Sequence, residues 1–444
     1  MLNLKLKTKG LCVKNNDMLS LPMAILINVN IMLGAGIFIN TVELAKLAGV
    51  LGCLAYPLIG IILLPLIISM ARLVHLYPEA SFYGFGAKAI HPFVGFLSGW
   101  SYFTGKLASA TLMIHVAFSL LQQIIPALQI IPILLLDGVV FMLFVFMNMF
   151  QVRTGSAIQM WFLVFKSIPI IFVILSGLFL FSGAHISTAN ALWDGIPATL
   201  PFVLYATAGF EATCSLSSRI ENAKVNGPRA IYLSYTIVVI LAFMFQFLLY
   251  AILGSDLGLQ ANYLAAFPML LQKIFASAAV ANIVQGIMYA AIASSAFGAA
   301  YGVLYSNYWN VFALAQAGHT FCKNQLTALN KLNVPYASVL LEGVIGLLYL
   351  ALIRGQQIPL QQTSALSGAI SYTLSVAALL YGAVRLRMWK KAIIPTFALA
   401  SCLLLVVSCI DNFIRFGLYP LYVFLALLIA GVGMFAIQMR KKCE

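Results

Sequence analysis

The chain is built from about twelve apolar runs, near residues 19–44, 50–72, 93–121, 130–149, 155–181, 196–217, 230–253, 278–312, 335–353, 363–385, 394–410 and 417–439, joined by short polar connections. About 20 apolar residues cross the hydrocarbon core as a helix, and most of these runs reach that length. The chain is 63% hydrophobic and only 8% charged, whereas a soluble domain carries about 25% charged residues. Lipid offers no partner to backbone N–H and C=O groups, so each run must satisfy its own by coiling. The expectation is an all-α polytopic membrane protein with about twelve transmembrane helices. The first run is too long, and too interrupted by glycine, for a cleaved signal peptide.

A net charge of +14 would suit a nucleic acid partner, but its placement is topological and no nucleic acid is expected. Of the 25 Lys and Arg residues, Lys106 and Lys166 fall inside runs, and Lys46, Lys273, Arg354 and Arg415 fall in one set of loops. The other nineteen, from Lys5, Lys7, Lys9 and Lys14 to Arg440, Lys441 and Lys442, fall in the opposite set. That bias sets both termini in the cytoplasm, with a minor attraction to anionic lipid. Compact loops favour a bacterial inner membrane. The seven cysteines are scattered without C-x-x-C spacing and read as small apolar residues. The five histidines, His75, His91, His115, His185 and His319, show no metal spacing. No cofactor, metal or catalytic group is expected.

Two runs are interrupted. Gly34-Ala35-Gly36-Ile37-Phe38 lies in the middle of the first, where each glycine costs roughly 1 kcal/mol relative to alanine in a helix. The sixth contains Pro201 and then Tyr205-Ala206-Thr207-Ala208-Gly209-Phe210-Glu211. An unwound backbone is tolerated in lipid only where it packs in protein or lines a polar cavity, and paired breaks mark transporter binding sites. Close helix packing is the competing explanation for the glycines. The breaks lie five runs apart, which fits a five-plus-five inverted repeat. On that reading residues 19–439 form one transmembrane domain: repeat one spans about 19–181, repeat two about 196–385, and two extra C-terminal helices occupy about 394–439. Residues 1–18 and 440–444 are cytoplasmic tails.

These residues resemble the signatures of the amino acid–polyamine–organocation superfamily. Gly34-Ala35-Gly36-Ile37-Phe38 is similar to its G-[STA]-G-I-F motif. Tyr77-Pro78-Glu79-Ala80-Ser81-Phe82-Tyr83, followed by Gly95 and Gly99-Trp100, is similar to P-x-G-G-x-Y … G … G-W, with Ala80-Ser81 where small residues, mostly glycines, are usual. Gly209-Phe210-Glu211, Glu221-Asn222 and Pro228-Arg229-Ala230-Ile231 resemble G-F-E … E-x-x-N-P … P-R-A-I. Ser306 to Gly318 with Val334-Pro335 resembles a fourth motif, in which Asn307, Gln316 and Ala317 replace charged residues. The resemblance implies a secondary transporter of amino acids or amines, with the five-plus-five fold, a central site and alternating access.

A half-helix N-terminus at the first break offers N–H groups to a carboxylate. Gly34, Ala35, Gly36 and Ile37 are therefore candidates for substrate binding. Carbonyls freed near Met32 and Leu33, and near Tyr205, Ala206 and Gly209, can accept from an ammonium. The resemblance implies that Tyr205 covers the substrate. Tyr102, Lys106, Met113, Phe202 and Tyr301 are candidates for the cavity wall.

Charges inside spans cost a few kcal/mol each, and three stand out. Glu211, the acid of the G-F-E motif, either carries a proton or ties down loose backbone. Lys166, beside Pro169, stands by resemblance where an ammonium replaces a sodium ion, and as a buried lysine it is, like Glu211, a candidate to carry the proton; the alternative is a lysine that snorkels to the interface. Lys106 faces the cavity, pairs with Glu211, or binds an acidic substrate. Asp137, Gln246, Asn282, Gln285 and Glu342 read as interhelical hydrogen-bonding groups, worth about 0.6 kcal/mol each. The expected function is proton-coupled or exchange transport of a neutral or acidic amino acid. The alternatives are a sodium symporter, an exchanger of polyamines or cationic amino acids, a non-transporting sensor, or a membrane enzyme. The last lacks a cluster of catalytic side chains.

Overall fold

The computed structural model describes residues 18–78, 80–150, 152–186 and 191–443. Lys5, Lys7, Lys9 and Lys14 of the amino-terminal tail, Glu79 of the second motif and Glu444 lie outside the described residues, as do the side chains of residues 152–156, 184 and 441–443, Arg153 among them. Among the described residues the chain is helical, with two isolated β-bridges, Leu19 to Ile220 and Gly49 to Ala191.

The first run forms α1 (Leu21–Met32) and α2 (Gly36–Ala48), set at 43° to each other across the glycine break. Then follow α3 (Leu51–Leu76), the short α4 (Phe82–Ala89), α5 (Pro92–Ile124), one turn as α6 (Pro126–Gln129), α7 (Ile133–Met147) and α8 (Val152–Phe179). The sixth run divides into α9 (Ile196–Thr207) and α10 (Ala212–Leu216). The remainder is α11 (Ala223–Leu253), α12 (Ala266–Ile274), α13 (Ala278–Gln316), α14 (Lys323–Leu326), α15 (Tyr336–Ile353), α16 (Gln357–Arg385), α17 (Trp389–Phe416) and α18 (Tyr419–Cys443). Among the described residues nine helices are long and apolar enough to cross a membrane, and the bent pair α1–α2 makes a tenth span. The shorter α7 and the broken α9–α10 coincide with the two runs left over. Some helices overrun the apolar runs: α11 begins at Ala223 and α16 at Gln357.

Burial separates a centre from a periphery. The apolar windows of α5 and α13 are 67% and 78% buried, those of α8 and α18 only 28% and 33%. The reason lies in side-chain size. From Ser295 to Gly302, α13 carries small residues on the face toward α1, so that Gly298 and Gly302 come against Asn30 and Ile31. Close approach through small residues is how helices pack in lipid, where no hydrophobic force draws them together. A serine seam binds α5 to α16: Ser98 and Ser101 donate to the carbonyls of Ser371 (3.1 Å) and Ser367 (3.3 Å), and Ser371 donates back to that of Ser98 (2.8 Å). The broken spans lie against this core.

Candidate functional site

The two breaks are packed on each other. A Cβ on Gly36 would stand 2.9 Å from the Ala206 Cα and 3.4 Å from Tyr205 Cδ1. Gly209 has φ +138°, and a Cβ there would meet Met32 Cγ at 2.7 Å and Ile31 Cγ2 at 2.8 Å. Glycine is required at both positions by close approach, and at Gly209 also by backbone conformation. Each half of one broken span is tied to the matching half of the other. Asn28 of α1 donates to Thr213 Oγ1 of α10 (2.8 Å), and Asn40 of α2 donates to the Phe202 carbonyl of α9 (2.7 Å).

A helix that stops leaves its last carbonyls and its first N–H groups without partners. At the end of α1, the carbonyls of Asn30 and Leu33 receive the ammonium of Lys166 at 2.6 and 2.9 Å, and Ser295 Oγ also donates to Leu33 (2.8 Å). Lys166 is fully buried, and its reach is to the break rather than to an interface. The Leu33 carbonyl, expected to be open to a ligand's ammonium, is thus already committed. Among the described residues the carbonyls of Met32, Tyr205 and Ala206 receive no hydrogen bond, and the amides of Gly36 and Ile37 find no acceptor. The Ala35 N–H points at Met113 Sδ, 3.2 Å away, a weak acceptor. Gly34 is closed in by Met113 Cε and Ala299.

The wall opposite is one stripe of α5. Tyr102, Lys106, Ser109 and Met113 recur at helical spacing, so they share a face. The Lys106 ammonium lies 2.6 Å from Glu211 Oε1, to which the Tyr102 hydroxyl also donates (3.2 Å). The Gly209 N–H donates to Glu211 Oε2 (2.7 Å), which holds the loop between α9 and α10. Of the roles open to Lys106, the geometry is that of a partner to Glu211, and this carboxylate is satisfied on both oxygens. Ser109 donates to the Tyr205 hydroxyl at 3.4 Å. Phe82 of α4 stacks on Tyr102 with ring centroids 4.2 Å apart.

Two candidate wall residues point elsewhere by their ring contacts. The ring of Phe202 meets Phe416 of α17, and that of Tyr301 meets Phe144 of α7 and Tyr305. Phe202 is joined to α2 through its carbonyl, which accepts from Asn40. Ser109, Asn28 and Asn40 were not singled out from the sequence. The i, i+3, i+4, i+7 spacing from Tyr102 would have found Ser109, and an asparagine on each side of a glycine break is a signal for the other two. Asp137 accepts from, or pairs with, His115 Nδ1 at 2.7 Å. Gln246 donates to the Thr41 carbonyl (3.1 Å). Glu342 is fully buried beside the Asn307 amide of α13, and neither of its oxygens makes a hydrogen bond of good geometry among the described residues.

Comparison with known proteins bears on this geometry. The sexual differentiation process putative amino-acid permease isp5 of Schizosaccharomyces pombe is 27% identical over 319 residues, covering 66% of this chain and 53% of that protein. The aromatic amino acid transport protein AroP of Escherichia coli K12 is 24% identical over 212 residues, 45% of this chain and 46% of AroP. The low-affinity putrescine importer PlaP of the same strain is 30% identical over 194 residues, 40% of this chain and 41% of PlaP. These alignments span about half the length of the relatives. The family described as amino acid permease matches residues 19–439, a stretch that includes both breaks and every residue of the α5 stripe, and the chain therefore belongs to the amino acid permease family.

Proposed function

We propose that this chain is a secondary transporter that moves neutral or acidic amino acids across a membrane by alternating access, holding the substrate where its two broken spans meet. The observation that carries this reading is the pair of breaks packed on each other, with unpartnered amides on one side and unpartnered carbonyls on the other. A substrate carboxylate suits the amides of Ala35, Gly36 and Ile37 at the start of α2, where the helix dipole is positive; on binding it displaces Met113 Sδ. A substrate ammonium suits the carbonyls of Met32, Tyr205 and Ala206, with the Tyr205 ring alongside.

Charge bookkeeping favours the substrate class. Glu211 is neutralised by Lys106. A diamine such as the cargo named for PlaP needs acids to receive it, and the acid at these breaks is already paired. Lys166 bridges the carbonyls that a bound cation would otherwise collect, which supports transport without sodium. The positions of the breaks support the two five-span repeats, the basic-residue bias supports cytoplasmic termini, and the compact loops support a bacterial inner membrane.

The test is uptake of a labelled amino acid pool into proteoliposomes without sodium, with and without an inward proton gradient. Gradient-driven accumulation of one class identifies a proton symporter and its substrate. Flux only against an internally loaded amino acid identifies an exchanger. Absence of amino acid flux under both conditions, or flux that requires sodium, overturns the reading.

A further inference from the structure

Glu342 is a buried acid that the site does not use. It lies in the second turn of α15, 0% exposed, with neither oxygen hydrogen-bonded. The ion pairs within 4 Å among the described residues involve other acids. The Asn307 amide of α13 stands beside it as its nearest polar neighbour, with one of its two hydrogens committed to the Phe103 carbonyl (2.9 Å). An ionised carboxylate buried away from bulk solvent, with no cation beside it and at most one amide to receive, is penalised so heavily that such a group takes up a proton instead. In this conformation Glu342 is therefore a neutral carboxylic acid.

Its surroundings connect it to a broken span. From Asn307 the polar chain runs to Asn310, whose amide donates to Asn307 Oδ1 (3.3 Å) and to Ser215 Oγ of α10 (3.0 Å). Ser215 lies one turn beyond Glu211 on the short half-helix, so the chain exists only while α10 is seated on α13. The titratable or charged groups facing this region are few. Tyr308 of α13 is near Glu342 and fully buried. Arg219 lies over the Trp309 ring at 4.4 Å, donates to the Asn333 carbonyl, and acts electrostatically on Tyr308. On the other helices packed against α15, Lys106 is held by Glu211, His115 by Asp137, and Lys323 of α14 is exposed.

We propose that Glu342 is a proton-binding site, occupied while α10 is seated and emptied to water on the inner side when α10 withdraws. On withdrawal water enters along Ser215, Asn310 and Asn307, the carboxyl O–H bond breaks, and the proton passes to that water. The seated state binds one more proton than the withdrawn one, so raising internal pH shifts the population toward opening. This rests on the transport reading above.

The experiment is amino acid counterflow in proteoliposomes of uniform orientation, with internal and external pH varied separately. The wild type is expected to exchange faster as internal pH rises, by up to about tenfold per pH unit at the steepest, with little response to external pH. Glu342→Gln, which mimics the protonated acid, should still exchange but without the internal-pH response. Glu342→Asp should shift the midpoint of that response. A wild type indifferent to internal pH, a Gln variant with an unchanged response, or an Asp variant with an unchanged midpoint overturns the proposal. Absence of any counterflow in the wild type overturns the transport reading instead.

Discussion

Lys106→Met is expected to destabilise the protein by about 3 kcal/mol, and Lys106→Met with Glu211→Gln by clearly less than the sum of the two single changes. The magnitude follows from the surroundings. Glu211 is 0% exposed and Lys106 is 4% exposed, so neither charge can turn to water once its partner is gone. Breaking a buried pair from one side costs about 3–5 kcal/mol because it strands the other charge. The Tyr102 hydroxyl and the Gly209 N–H remain with Glu211 after Lys106→Met, which puts the expectation at the lower end of that range. Replacing both charges removes the stranded ion, so the interaction energy of the cycle should be about 2 kcal/mol. Unfolding in mixed detergent–denaturant micelles, followed by tryptophan fluorescence, measures all four corners. Single changes below about 1 kcal/mol, or a double change equal to the sum of the singles within about 0.5 kcal/mol, refute the claim that this pair holds the broken span in place.

Lys166→Met keeps much of the side-chain volume but leaves the Asn30 carbonyl without a donor and the Leu33 carbonyl with Ser295 alone; a loss of about 3 kcal/mol and of uptake is expected, measured by the same unfolding assay and by proteoliposome flux. Gly36→Ala puts a methyl 2.9 Å from the Ala206 Cα, so the variant should insert and be recovered in the membrane fraction while losing most uptake; full activity would show that the two breaks separate more easily than their packing implies. Met113→Leu conserves volume, so its stability should change by less than about 1.5 kcal/mol, whereas the half-saturating substrate concentration should fall severalfold because the substrate carboxylate no longer competes with a resting acceptor for the Ala35 N–H; unchanged or weakened substrate binding would remove Met113 from that role.

The spans were legible because hydrocarbon length and hydropathy are properties of a single run. Both breaks were legible for a related reason, since glycine and proline act on their own backbone. What the sequence did not disclose was partnership. Lys106 had three possible roles because the rotation of α5 about its axis is set by the serine seam with α16, and nothing in residues 92–124 reports it. Tyr301 and Phe202 looked like wall residues from their chain positions, yet their rings follow neighbours, Phe144 and Phe416, that lie far off in sequence. The open Leu33 carbonyl was a sound inference from the break itself. That Lys166 and Ser295 fill it depends on α8 and α13 arriving from 133 and 262 residues away.

Lys166 has an electrical consequence. A carrier that collects a free cation at its broken helix moves that charge through the membrane field, and each elementary charge is worth about 2.3 kcal/mol per 100 mV. Here the group that bridges the break is the Lys166 amine, covalently part of α8. Carriage of a zwitterion through such a site, without an accompanying ion, transfers no net charge. Exchange of neutral amino acids would then proceed at the same rate in a polarised and a depolarised vesicle. Any voltage dependence that is found belongs to the substrate's own charge or to a co-transported proton, and the current per substrate molecule would count it directly.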